Sequence, residues 1–224
     1  MFLRKLLVLV FILSCGATCA MAQDTYADKF EVTPFGGAKF GGKINVLGYD
    51  ANANVENLFI KSSIDYGVIA DYSIFDSFAV EFMMVRQPTS YSQQDYTYTP
   101  PATEFLTNGT LSTYTFGGAY TFRGDSNIRP FVAGGVGWTN FGNLDSQPNT
   151  LYVGFNNKVA YNIGGGVKYY FSKYVGLRFD MRWMASRTTP NQTTQCSGYY
   201  GCGTYSGSYK ANQGEANLGL ILHF

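Results

Sequence analysis

Apolar and polar side chains alternate along this chain with a period of two, most clearly over 113–123. Tyr114, Phe116, Gly118, Tyr120 and Phe122 fall on one face, and Thr113, Thr115, Gly117, Ala119, Thr121 and Arg123 on the other. A period of two is the side-chain repeat of a β-strand. The same alternation predicts seven more strands. Phe30, Val32, Pro34, Gly36, Ala38 and Phe40 oppose Glu31, Thr33, Phe35, Gly37 and Lys39. Ile60, Ile64, Tyr66, Val68, Ala70 and Tyr72 oppose Lys61, Ser63, Asp65 and Asp71. Phe78, Val80, Phe82 and Met84 oppose Glu81, with Met83 and Val85 less polar than the pattern wants. Val132, Gly134, Val136 and Trp138 oppose Ala133, Gly135 and Gly137. Tyr161, Ile163, Val167, Tyr169 and Phe171 oppose Asn162, Gly164, Gly166 and Lys168. Val175, Leu177, Phe179, Met181 and Trp183 oppose Gly176, Arg178, Asp180 and Arg182. The final strand sets Ala216, Leu218, Leu220, Leu222 and Phe224 against a mixed face of Glu215, Asn217, Gly219, Ile221 and His223.

The connections alternate in length. Those at 73–77, 124–128 and 172–174 are short, whereas 44–58, 87–110, 140–158 and 187–213 are long and polar. Eight strands with short turns on one rim and long loops on the other fit the smallest closed transmembrane barrel, inserted from the periplasm. The predicted class is therefore all-β, an antiparallel eight-stranded transmembrane up-and-down β-barrel. A soluble up-and-down barrel shares the alternation with its apolar face turned inward. Three features favour lipid outside. The polar face mixes small residues with both signs of charge, as a narrow lumen requires. Aromatics gather at the strand ends of the apolar face: Tyr72, Phe78, Phe122, Phe171 and Phe224 towards the short turns, and Phe40, Tyr114, Trp138, Tyr161 and Trp183 towards the long loops. Girdles of this kind mark both membrane interfaces. In lipid, moreover, every backbone polar group must be paired, which for strands alone demands closure.

The start of the chain changes the compartment and the charge. Residues 1–22 have the form of a secretory signal: Arg4 and Lys5, the apolar run 6–13, and Ala20-Met21-Ala22 before a cleavage point between Ala22 and Gln23. The apolar run is too short to be a helical anchor, and processing as a lipoprotein at Cys15 fits only loosely. The barrel domain is then 23–224. Removing Arg4 and Lys5 from 16 basic residues leaves 14 against 15 acidic ones. No cluster of Lys or Arg points to nucleic acid. Charged residues are only 14% of the chain and aromatics 17%, which suits a wall that faces lipid. Of four cysteines, Cys196 and Cys202 remain, and in an exported protein they are expected to form one loop disulfide.

The chain resembles the small outer-membrane β-barrels, the group of OmpA-like transmembrane domains and opacity-type proteins. The resemblance rests on Glu31-Val32-Thr33-Pro34-Phe35-Gly36-Gly37, on 129–138, on 161–171 and on the terminal Leu222-His223-Phe224. It covers essentially the whole mature chain. It implies an outer-membrane location in a Gram-negative cell, surroundings of membrane lipid and lipopolysaccharide, and a Phe224 read by the barrel-insertion machinery. The sequence departs from longer members of that group in that no peptidoglycan-binding domain is expected after the barrel.

Candidate chemistry is sparse. Lys61, Asp65, Asp71, Glu81, Lys168, Arg178, Asp180, Arg182 and Glu215 are expected to line the lumen with Lys39 as an ion-pair network, because charge in a narrow lumen must be paired. That network would plug the barrel. A narrow pore for small solutes is the transport alternative. The only histidine, His223, sits beside the C-terminus with no serine near it, so a lipid A-modifying enzyme is poorly supported and no catalytic residue is assigned. The glycines at 37–43 and 164–166 lack the setting of a phosphate loop. Asp50, Asn52, Asn54 and Glu56 resemble a calcium loop, but Val55 replaces its turn glycine. No cofactor and no metal are expected. Tyr91, Tyr96, Tyr98, Tyr199, Tyr200, Tyr205 and Tyr209 lie in the predicted long loops, where they would suit contact with a host or surface ligand. The expected function is thus non-enzymatic, in envelope integrity or surface interaction.

Overall fold

A computed structural model describes residues 29–45, 57–95, 102–122, 127–142, 158–187, 191–197, 201–207 and 210–224. The expected signal segment and the calcium-like 50–56 stretch lie outside them. So do Tyr96, Tyr98, Tyr199, Tyr200 and Tyr209.

The described residues form twelve strands and no helix: β1 Phe30–Phe40, β2 Lys43–Asn45, β3 Asn57–Ile60, β4 Ser63–Phe75, β5 Phe78–Asp95, β6 Ala102–Thr121, β7 Ile128–Phe141, β8 Lys158–Tyr170, β9 Val175–Arg187, β10 Asn191–Ser197, β11 Gly201–Gly207 and β12 Lys210–His223. Eight of them close into a ring in which β1, β4, β5, β6, β7, β8, β9 and β12 each pair antiparallel with their neighbours, and β12 returns to β1. At the seam Phe224 donates its N–H to the Phe30 carbonyl at 2.8 Å. The predicted all-β, eight-stranded up-and-down barrel is the observed fold. β2 and β3 form a small flap on the upper edge of β5, and β10 pairs only with β11. The chain leaves β1 for the flap through Gly41 and Gly42, both at positive φ (72° and 134°), where only glycine is unstrained.

The alternation sets the faces as read. The aromatics of both girdles are exposed or half-exposed on the outside, while Glu31, Asp71, Glu81, Lys168, Arg178, Asp180 and Arg182 are buried inside. Met83 and Val85, which broke the pattern, join Phe35 and Ile69 in a small apolar cluster inside the barrel. The lumen is thus partly a hydrocarbon core.

Two expectations are corrected. The predicted long loop 87–110 is mostly strand, since β5 runs to Asp95 and β6 starts at Ala102, and the two stay paired through a register shift between Tyr91 and Ser92. Ile60 is only 3% exposed, in β3 rather than on the outer face of β4. The break at 61–62 inverts the strand phase, so even positions face inward before it and outward after it.

Candidate functional site

Arg178, Asp180 and Arg182 occupy alternate positions of β9 and so share its inward face. Along a strand such positions are about 6.6 Å apart, close enough for the central carboxylate to reach both guanidinium groups. It does: Arg178 Nε donates to Asp180 Oδ2 at 3.1 Å, and Arg182 donates to both Asp180 oxygens at 2.8 and 3.0 Å. Across the lumen, β5 supplies Glu81. Arg182 grips it bidentately at 2.6 and 2.9 Å, and Arg178 Nη2 adds a bond of 2.7 Å. From β4, Asp71 accepts from Arg178 at 2.8 Å and from Lys168 of β8 at 2.9 Å. Lys168 also bonds Glu31 of β1, whose other oxygen accepts from the Tyr170 hydroxyl. Phe131 of β7 closes one side, with the Arg178 guanidinium 4.3 Å from its ring centre. Asn162 links the network to β6 by accepting from Arg182 and donating to Thr115.

The side chains of Arg178 and Asp180 are each only 1% exposed. Charge this dry survives only when paired and hydrogen-bonded, and forked guanidinium–carboxylate contacts are the strongest form of that pairing. Arginine cannot act as a base, and each of the four carboxylates is held by at least one cation. The arrangement can brace the wall and block passage. It offers no carboxylate open to a substrate.

A second group lies nearer the long-loop rim. Lys39 of β1 meets Glu215 of β12 at 3.3 Å, and Asn217 donates to Glu215. Asp65, the register partner of Gly37, is buried on the same face, but neither of its carboxylate oxygens has a hydrogen-bond partner, so its assignment to the ion-pair network is corrected. Further up, Gln213 bonds Gln87, which bonds Ser63. Lys61 is not part of either group. It is exposed in the break between β3 and β4, where its carbonyl accepts from Thr89 at 2.6 Å. Its assignment to the lumen network is corrected for that reason.

Tyr91 also departs from expectation. It is a strand residue with no exposed surface, not a loop residue. His223 stands at the short-turn rim with its Nδ1 3.0 Å from the Lys173 carbonyl. Cys196 and Cys202 are direct backbone partners across the β10–β11 hairpin. The contributions of Tyr170, Asn162 and Phe131 to the plug were missed. Only their inward parity on β7 and β8 could have signalled them.

No protein-family model matches the chain, and neither does any curated protein sequence. Solved structures do match. The outer-membrane protein AlkL, determined by solid-state NMR in lipid bilayers, superposes with a TM-score of 0.60 at 16% identity over 91% of this chain and 93% of that one. OprG of Pseudomonas aeruginosa gives 0.55 at 14% identity, covering 89% and 98%. The outer-membrane protease OmpT of Escherichia coli gives 0.56 at 8% identity, covering 91% and 99%. The fold is that of the small outer-membrane barrels. Identities this low carry the fold alone, and the protease in the set says nothing about activity here. In an outer-membrane barrel the apolar exterior meets acyl chains, and the charged network is the filling of its lumen.

Proposed function

We propose that this protein is a non-enzymatic, non-conducting barrel of the outer membrane that supports the envelope and presents a surface-interaction platform on its long-loop side. The observation that carries this is the ion-pair plug itself, in which Asp71, Glu81, Arg178, Asp180 and Arg182 are buried and paired with one another. Two features add the platform. β5 and β6 continue their ladder well beyond the girdle, and the β10–β11 hairpin extends from the same side. Delivery would use the 1–22 signal, and assembly would use the insertion machinery acting on Phe224.

Planar-bilayer recording tests the plug. The wild-type protein is expected to give no discrete openings. The triple variant Glu81→Ala, Arg178→Ala, Arg182→Ala removes the largest plugging side chains and is expected to give them. Steady openings from the wild type would favour the narrow pore. The platform is tested by deleting 192–206 and measuring attachment of expressing cells to host-cell monolayers. Unchanged attachment would remove the hairpin from the reading.

We also infer that Cys196 and Cys202 are bonded, since cross-strand partners in an oxidising compartment are placed for it. Purified protein should take up a thiol alkylating reagent only after reduction. Equal labelling without reductant would show two free thiols.

A further inference from the structure

The exterior wall is apolar from the short-turn rim up to the second girdle, and there its chemistry changes. On β5 the outward positions run Phe78, Val80, Phe82, Met84 and then Arg86, which is exposed. Arg86 is in register with Ser112 of β6, and Ser112 with Asn140 of β7. This polar row lies directly above Tyr114 and Trp138, stacked at 5.5 Å between ring centres. On the other flank Arg86 is in register with Tyr66 of β4. Arg86, Thr110, Ser112, Tyr114, Trp138 and Asn140 line a hollow of about 560 Å³ in the outer wall. Every barrel-strand carboxylate whose side chain is described points inward: Glu31, Asp65, Asp71, Glu81, Asp180 and Glu215. Across the barrel at the same rim, exposed Arg187 and Lys210 are register partners. The upper outer wall is therefore basic and lacks described acids.

We propose that this hollow binds the phosphate-bearing headgroup of an outer-leaflet glycolipid, with Arg86 as its anchor. A planar guanidinium matches a phosphate bidentately. Ser112, Thr110 and Asn140 supply neutral hydrogen-bond donors beside it. The Tyr114–Trp138 pair below presents an apolar face to the sugar and the first acyl carbons, at the height where aromatics meet headgroups. The inference rests on the outer-membrane placement and adds a lipid site that the surface-interaction role does not require.

The test uses the full mature chain in phosphatidylcholine vesicles doped with either bis-phosphorylated or dephosphorylated lipid A. Co-purifying lipid is measured by mass spectrometry after insertion is verified from the heat-dependent gel mobility of the folded barrel. Wild type is expected to retain the phosphorylated form preferentially. Arg86→Ser should retain about tenfold less, and Arg86→Lys should fall between, as loss of a charged hydrogen-bonded contact implies. Equal retention of the two lipids by wild type would overturn the inference without any variant. Undiminished retention by Arg86→Ser would overturn the role of Arg86. Displacement by millimolar inorganic phosphate would show an anion site that does not need the lipid, against the proposal. Failure of the wild type to insert would overturn the membrane placement and this inference together, whereas insertion without lipid preference would overturn this inference alone.

Discussion

Arg182→Met is expected to destabilise the barrel by about 3–5 kcal/mol, the cost of leaving a buried carboxylate without its cation. Arg182 holds both oxygens of Glu81 and both of Asp180. Methionine fills much of the space but returns none of those bonds. Glu81 keeps one guanidinium contact through Arg178, so the structure loses compensation without losing all of it. The double variant Arg182→Met, Glu81→Leu should be less costly than the sum of the singles, because it removes a charge from each side. Guanidinium unfolding in detergent micelles, followed by heat-dependent gel mobility, measures both. The reference is Lys61→Met, an exposed change outside the plug, expected to stay within about 0.5 kcal/mol. If Arg182→Met proved no worse than Lys61→Met, the network would not be dry and braced as described.

The second large effect concerns space. Gly166 of β8 faces the lumen in register with Asp180. A Cβ at this position would run into the Phe179 carbonyl, and would come within 3.0 Å of the Asp180 Cα. These are backbone atoms and cannot swing aside. Gly166→Val must push β8 away from β9, at a packing cost of about 1–3 kcal/mol or more, and it moves Asp180 from between its two arginines. The expected outcome is a chain that fails to acquire the folded barrel's gel mobility, or acquires it with a much lower unfolding midpoint. Gly36→Ala is the contrasting change. Gly36 points outward, and the nearest atom to an added Cβ is 3.9 Å away, so it should fold like wild type. Similar losses at both positions would mean that glycine serves strand curvature generally rather than room for the plug.

The membrane part of the fold was legible because lipid and lumen impose opposite chemistry on successive residues. Phe116 and Thr115, or Phe179 and Asp180, announce their faces by type alone. Beyond the girdle that contrast disappears. From Gln87 to Thr110 both faces meet polar surroundings, so Ser, Thr, Gln and Tyr occur without period although the hydrogen-bond ladder continues. A strand there looks like a loop. Lys61 was misplaced because parity was carried across a two-residue break that composition does not mark. The charged members of the plug were legible from parity and from the rule that buried charge is paired. Their particular partners were not, because Asp71 and Arg178 are 107 positions apart and only closure of the ring brings them together.

That separation has a consequence for how the barrel is made. The network residues of the N-terminal strands β1, β4 and β5 are all acids: Glu31, Asp71 and Glu81. Those of the C-terminal strands β8 and β9 are Lys168, Arg178, Asp180 and Arg182, with cations in excess. A nascent sheet that stopped halfway would bring net negative charge to the bilayer, since Lys39 of β1 offsets only one of the buried carboxylates of Glu31, Asp65, Asp71 and Glu81. The later strands would bring surplus positive charge. Each half is repelled by hydrocarbon and attracted by the other, so the electrostatics favour zipping the seam before the molecule leaves the aqueous side.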